Sequence, residues 1–268
     1  MKKLSVAEYR KIFPILESHT KTTTFAYAVC DQVIDGEVFA NEKLTAGLIR
    51  TVNGIYYVFG HTDDQNYNED LFSFIKKAIE KTEKRFTLFS SSDEWEMMIE
   101  ERFSHVLRNI PRMKFQSVTF EERKRDCNKN IYEVKRIDRR DIERSGEFTE
   151  EYYKEYWGSK ETFLNGGFGF CIELEGIIVA ECVSIFSGNG FAEIDIVTHK
   201  AYQGKGLAQA VAASFIEHCI QNDIIPCWDC YVDNIPSQKL ASKLSFYNPS
   251  NPRAQPWTGG GNYQAGVR

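Results

Sequence analysis

The sequence predicts an α+β chain in two parts, a mixed α/β N-terminal domain over 1–125 and a second α+β domain over 126–268. Three observations carry that expectation. Segments with the two-residue period of strands alternate with segments whose apolar residues recur at helical spacing. A charged and polar run from Glu121 to Asn130 holds almost nothing apolar and separates two such series. From Ala192 to Ala208 a strand pattern feeds a glycine-bearing turn, and a long amphipathic run follows.

Taken in order, Tyr9, Ile12, Phe13 and Leu16 share a helical face, with Pro14 bending or interrupting it. Thr45 to Val52 and Ile55 to Phe59 read as a hairpin about Asn53-Gly54, a pair that accepts the positive φ of a tight turn. Leu71, Phe74, Ile75, Ala78 and Ile79 give a helix, and Phe86 to Phe89 a strand. Ser91 or Ser92 then caps a helix through Trp95, Met98, Ile99 and Phe103, and Met113 to Phe120 is a further strand. Beyond the charged run, Ile131 to Ile137 reads as a strand, with helices through Tyr153, Trp157 and Phe163. Phe168 to Leu174 and Ile177 to Phe186 pair about Glu175-Gly176, and Ser187-Gly188-Asn189-Gly190 turns into the next strand. Leu207, Val211, Phe215 and Cys219 line one side of a helix, where Ala212 and Ala213 permit close packing. Ile224 to Val232 is a strand, and Asn234 to Phe246 a short helix capped by Asn234 with Leu240 and Leu244 facing inward. From Asn248 an irregular tail begins. Hairpin, helix, strand and helix from Thr45 to Phe103 repeat in that order from Ile177 to Phe246, so the first part reads as an echo of the second.

Composition narrows the function. A hydrophobic fraction of 42% and a charged fraction of 26% are those of a soluble globular protein. The net charge of -5 leaves no basic excess to neutralise phosphates, so nucleic acid is not an expected partner. The basic clusters near Arg123 and Arg139 are interleaved with Glu121, Glu122, Asp126, Asp138 and Asp141 and read as solvated surface. The N-terminus becomes charged too soon for a signal peptide, and no apolar run is long enough to span a membrane. Seven cysteines scattered through apolar segments suit a reducing compartment, and a cytoplasmic protein is expected. Cys227 and Cys230 point to opposite faces of a strand and have no second pair at zinc spacing, so no metal site is expected.

The turn after the strand is an anion site by construction. The strand carries Ile194, Ile196, Val197 and Thr198; Gln203-Gly204-Lys205-Gly206-Leu207-Ala208 leads into the helix. Unpaired N–H groups and the positive end of the helix dipole converge there. Gly204 and Gly206 let a phosphate approach the backbone, and Lys205 adds charge. ATP use is disfavoured, because neither Gly-x-x-x-x-Gly-Lys-Ser/Thr nor Gly-x-Gly-x-x-Gly is present.

Gln203-Gly-Lys-Gly206-Leu-Ala208, between strand and helix, resembles the signature of the GNAT N-acetyltransferase superfamily: Arg or Gln, two residues, Gly, one residue, then Gly or Ala. The block Asn234-x-x-Ser237-x-x-Leu240-x-x-Lys243-Leu244-Ser245-Phe246 is similar to that superfamily's later helix. Together with Ile196-Val197-Thr198-His199 and Pro226-x-Trp228-x-Cys230, it resembles the branch that includes the zwittermicin-resistance acetyltransferases. The resemblance covers roughly Ile131 to Tyr247 and implies a GNAT fold there. It also implies acetyl-CoA (coenzyme A), with pyrophosphate on Gln203, Gly204, Lys205, Gly206, Leu207 and Ala208. Pantetheine would pair with Ile196, Val197 and Thr198, in a slot opened by a splayed neighbouring strand and lined across by Asn234 and Ser237. Two departures stand out. Ser245 replaces the usual glycine, and Ala241 stands where many members place a tyrosine that protonates the leaving thiolate; Tyr247, Tyr231 or a water are the substitutes.

The implied reaction is acetylation of the primary amine of a small molecule, an antibiotic or metabolite, by a monomer or homodimer. A non-catalytic acyl-CoA-binding or sensing protein is the alternative that Ala241 suggests. Acetyl transfer needs a neutral amine and so a base. Glu193, Asp195 and Val197 share one face of the strand, opposite Ile194 and Ile196. The two carboxylates stand about 7 Å apart by strand rise. Glu193 is the expected base; Asp195 is a second candidate or the ammonium binder. Either carboxylate alone equally suits a merely polar part of the sheet face. His199 is expected at the surface. Gly166-Gly167-Phe168-Gly169 is expected as a mobile loop near the acceptor cleft; Trp157, Tyr152 and Tyr153 either wall that cleft or are plain core, with core favoured.

Overall fold

The computed structural model describes residues 1–19, 21, 23–81, 85–117, 132–247 and 262–265. The chain divides into two compact units, Met1–Met113 with Thr258–Arg268, and Lys114–Trp257. The boundary expected between 125 and 126, the charged run Glu121 to Asn130 and the start of the Ile131 strand lie outside the described residues, as does Gly259-Gly260-Gly261.

The first unit begins with β1 (Lys2–Lys3), a 3-10 segment (Val6–Ile12), α1 (Phe13–Glu17), α2 (Thr24–Cys30), β2 (Gly36–Ala40), β3 (Ala46–Thr51) and β4 (Ile55–Gly60). It continues with α3 (Gln65–Lys81), β5 (Thr87–Ser90), α4 (Asp93–Phe103) and β6 (Leu107–Ile110). Pro14 starts α1 instead of bending a longer helix, because the first turn is where its missing N–H is not needed. All seven residues of α2 are buried, so it carries no amphipathic period for sequence reasoning to detect. The Asn53-Gly54 hairpin forms with Gly54 at φ +84°. Ser92 caps α4 by accepting from the Trp95 N–H. Leu48, Val58, Leu71, Ile75, Leu88, Trp95 and Ile99 form the core, and the buried Trp95 indole N–H donates to the Gly60 carbonyl at 2.8 Å.

Next come β7 (Arg112–Ser117), β8 (Lys135–Arg136), α5 (Arg139–Arg144), α6 (Glu150–Trp157), α7 (Lys160–Gly166), β9 (Gly169–Leu174), β10 (Ile177–Gly188) and β11 (Phe191–Thr198). After a 3-10 turn at Lys200–Tyr202 follow α8 (Leu207–Gln221), β12 (Ile225–Tyr231), α9 (Ile235–Lys243) and β13 (Phe246–Tyr247). Within the expected irregular tail, Asn262–Ala265 is a strand, β14. Leu207, Val211, Phe215 and Cys219 of α8 are buried as their spacing predicts. On α9, however, Ala241 is the buried residue; Leu240 and Leu244 are only half-buried. Gly167 and Gly169 are not a mobile loop. A Cβ on Gly167 would stand 2.7 Å from the Phe163 ring and 2.8 Å from Trp157, so this glycine is there for close packing.

The two sheets share one plan. Their orders are β1-β2-β3-β4-β5-β14-β6 and β8-β9-β10-β11-β12-β7-β13. In each, an antiparallel hairpin (β3–β4, β10–β11) is followed by a helix (α3, α8) and a strand parallel to the second hairpin strand (β5, β12). The echo read from the sequence is therefore topological, and it extends to the place between the fifth strand and the last, taken by β14 in one sheet and β7 in the other. The parallel pairs differ. All four residues of β5 pair with β4, Ile55↔Thr87 through Val58↔Ser90. In contrast β11 and β12 pair only at Phe191↔Ile225, Ala192↔Pro226 and Glu193↔Cys227, and β12 then runs on to Tyr231 without β11.

Candidate active site

The parting of β11 from β12 after Glu193 leaves the stretch Ile194–Thr198 paired on one side only, with β10 (Ser184↔Ile194 to Ala180↔Thr198). Its other edge offers backbone N–H and C=O groups to an extended ligand. Thr198 Oγ1, at the end of that edge, is buried and has no hydrogen-bond partner among the described residues. Unsatisfied buried oxygens are uncommon and point to a group that completes them.

Beyond Thr198 the chain makes the turn that the sequence singles out. Gly204 and Gly206 sit at φ +78° and +83°, conformations glycine adopts without strain, and Gly206 is the residue that caps α8. A Cβ at either would meet nothing within 4 Å, so the space before the helix start is open. The first N–H groups of α8 have no intrahelical acceptor and face it. The Gln203 side-chain amide donates to the Thr198 carbonyl at 3.2 Å, tying the turn to the strand end. The Tyr132 hydroxyl donates to the Lys205 carbonyl at 2.9 Å, and the Lys205 ammonium lies 4.8 Å from the centre of the Tyr202 ring. His199 is exposed and serves locally, its Nδ1 accepting from the Ala201 N–H at 3.4 Å.

Residues opposite one another in an antiparallel ladder share a sheet face. By the register of β10 and β11, Phe186 goes with Glu193, Val183 with Asp195 and Glu181 with Val197. A bulge between Ser184 and Phe186 brings Phe186 to the Glu193 side. Alternation along β12 from Cys227 puts Asp229 and Tyr231 on the same face. Helix α6 covers it: the Tyr152 hydroxyl donates to Asp195 Oδ2 at 2.8 Å. Burial and the Asp195 charge raise the Tyr152 phenol well above its ordinary range, so it stays a neutral donor. Cys182, on the opposite face, neighbours Cys219 of α8.

Further along lies a third carboxylate. Glu181 is 2% exposed; it accepts from the Ser145 hydroxyl at 2.6 Å, and its Oε1 has no hydrogen-bond partner among the described residues. Burial above all pushes its carboxyl up to about 7, against the Ser145 hydrogen bond, which favours the charge. The Tyr153 hydroxyl is likewise buried and without a hydrogen-bond partner among the described residues, with Glu181 among the charges that raise it.

Asn234 caps α9, its Oδ1 accepting from the Ser237 N–H at 3.1 Å, while Ser237 Oγ accepts from the Trp228 indole at 3.0 Å. Both therefore have structural work on the α9 side of β12. Trp157 and Tyr153 are core, at 1% and 0% exposure, whereas Tyr152 is half-buried and turned to Asp195. The site thus gains Tyr152, for which the sequence reading favoured the core, together with Glu181 and Asp229, which that reading did not single out. A signal for the first was present: Phe148, Tyr152 and Tyr156 recur every four residues and make an aromatic stripe. Among the described residues no group of three or more His, Cys, Asp or Glu has metal-site geometry, and no helix is long and apolar enough to cross a membrane.

Comparison with known proteins gives a consistent picture. A family model described as GNAT acetyltransferase matches residues 14–253. An uncharacterized N-acetyltransferase of Bacillus subtilis (strain 168), YdfB, is 38% identical over 227 residues, 83% of this chain and 86% of that protein. A GCN5-related N-acetyltransferase-like protein from Streptococcus suis 89/1591 superposes with a TM-score of 0.66 at 22% identity, covering 97% of this chain and 99% of that one. A tandem GNAT protein from the clavulanic acid biosynthesis pathway gives 0.62 at 10% identity, over 98% and 97%. At those identities the structures speak for the fold alone.

Proposed function

The chain belongs to the GNAT acetyltransferase family and is an N-acetyltransferase of that class, and on that premise we propose that it moves an acetyl group from acetyl-CoA to a primary amine of a small molecule. The observation that carries the donor half is the early parting of β11 and β12, which frees a strand edge running straight into the Gly204–Gly206 turn. The orphaned Thr198 oxygen and the open space before both glycines fit such a ligand. Gln203 to Ala208 would hold the pyrophosphate, Ile196 to Thr198 the pantetheine, and Asn234 and Ser237 the far side. When bound, the cofactor supplies an acetyl thioester. Within the family, our reading is the zwittermicin-resistance branch, supported by the resemblance of residues 196–199, 226–230 and 234–246 to it.

On the acceptor side, Glu193 accepts the ammonium proton and leaves the amine a free lone pair. Asp195, with the Tyr152 hydroxyl on one oxygen, binds and orients the ammonium. With Ala241 buried at the position of the missing tyrosine, Tyr231 takes the acid role. It lies on the carboxylate face at the end of β12 and is 38% exposed. Thermal shift with acetyl-CoA, CoA, ATP and NAD, followed by thiol release with an amine panel, tests the whole. The CoA species alone should stabilise the protein, and Glu193→Gln should cut kcat by about a hundredfold or more while still binding acetyl-CoA. Indifference to both CoA species, or full turnover in Glu193→Gln and Asp195→Asn alike, would overturn it.

A further inference from the structure

We propose that the acceptor is an arylalkylamine, a primary amine on a short chain attached to an aromatic ring, and that Tyr152 and Tyr156 select it. This rests on the Glu193–Asp195 face being the acceptor side of an acetyl transfer. Four-residue spacing sets the rings of Phe148, Tyr152 and Tyr156 in a continuous row, with centres 4.6 and 4.8 Å apart. The row ends on Phe186, 5.8 Å from Tyr156 and edge-on to it. The row meets a carboxylate at two places, its second ring and its last. The Tyr152 hydroxyl is on Asp195, and Phe186 is opposite Glu193 in the ladder, turned to that side by the bulge.

Burial separates the roles within the row. Phe148 and Phe186 are 5% and 4% exposed and serve as backing. Tyr152 and Tyr156 keep part of their surface open. Because the Tyr152 hydroxyl is given to Asp195, what that residue offers a ligand is its ring. Ring faces attract an ammonium and stack with another ring, and the carboxylates anchor the charge. A polyhydroxylated aminosugar would find few hydrogen-bond partners for its hydroxyls on the ring faces, the Tyr152 hydroxyl being given to Asp195. A polyamine would engage both carboxylates but brings no ring to stack on the row.

The test compares kcat/KM for 2-phenylethylamine, n-hexylamine, spermidine and glucosamine in the full chain, in Tyr156→Ala and in Tyr156→Phe, with acetyl-CoA affinity measured for each. The expected result is a lead of about tenfold for 2-phenylethylamine over the others. Tyr156→Ala should erase that lead through KM, and Tyr156→Phe should restore most of it, with acetyl-CoA affinity equal in all three. A wild-type preference for spermidine or glucosamine, or an unchanged preference in Tyr156→Ala, would overturn the proposal while leaving acetyl transfer standing. Failure to bind acetyl-CoA at all would remove the acetyl-transfer reading and this proposal together.

Discussion

Ser245 holds φ +59° immediately after the last turn of α9, where its N–H bonds the Ser242 carbonyl at 3.2 Å. The left-handed conformation costs a residue with a Cβ about 1 kcal/mol or more, which is why glycine is favoured just past a helix end. Ser245→Gly should therefore raise stability by about 1 kcal/mol, seen as a higher denaturant midpoint with an unchanged slope; no gain would mean the serine hydroxyl compensates the strain. Glu181 is a second position where the fold opposes its residue. Its carboxyl, raised from 4.5 to about 7 by burial, favours the protonated form in the folded state. That contribution is complete below pH 4.5, is lost as pH rises from 4.5 to 7, and stays lost above. Glu181→Gln should flatten stability across this window and raise it at pH 8 by on the order of 2 kcal/mol. Parallel pH profiles for wild type and variant would contradict this.

At the scale of elements, the contrast between β4–β5 and β11–β12 is one of how far a parallel pair runs. Both pairs arise from a strand–helix–strand crossover, yet the first pairs along all of β5 and the second stops after Cys227. Only the second leaves an open strand edge, and only there does the connection carry Gln203-x-x-Gly206-x-Ala208. Substitution at the turn should separate folding from binding. Because a Cβ at Gly206 meets no atom within 4 Å, Gly206→Ala strains the backbone alone. It should lower stability by about 1 kcal/mol. Acetyl-CoA affinity, measured by calorimetry, should fall by much more than that loss accounts for. An affinity that falls only in step with stability would move the pyrophosphate elsewhere. The two tight turns flanking β10, Glu175-Gly176 and Asn189-Gly190, have φ of +52°, +80°, +47° and +76°. Their sequence made both hairpins legible, since few residues tolerate such pairs.

For the whole molecule, the matching sheet orders put β14 and β7 in the same place of each order, and the first sheet takes its strand from the far end of the chain. β14 pairs with β5 (Tyr263↔Leu88, Gln264↔Thr87) and with β6 (Asn262↔Ile110 to Ala265↔Leu107), so the first sheet depends on the far C-terminus. Deleting 258–268 should leave the facing edges of β5 and β6 unpaired. Hydrogen exchange should then show lost protection at Thr87–Ser90 and Leu107–Ile110, with β10 and β11 keeping theirs, and the first unit should melt about 5 °C or more lower. Uniform loss across both units would contradict the topology.

The sequence by itself determined the elements with local signals: glycine turns, the Asn234 cap, the face of α8, the glycine-bearing turn before that helix and the alternation that puts Glu193 with Asp195. These are set by backbone conformation and side-chain period within a few residues, so a single stretch of chain contains the whole cause. Helix α2 escaped because it is buried on every side, and β14 because a four-residue strand in a tail has no period to detect. Only the tertiary structure decided that β11 and β12 part after Glu193, that β14 closes the first sheet, and that Tyr152 belongs to Asp195 and not to the core. Each of these depends on which distant strand or helix arrives beside a residue, and pairing between segments as far apart as Tyr152 and Asp195, or Leu88 and Tyr263, is written in no local pattern.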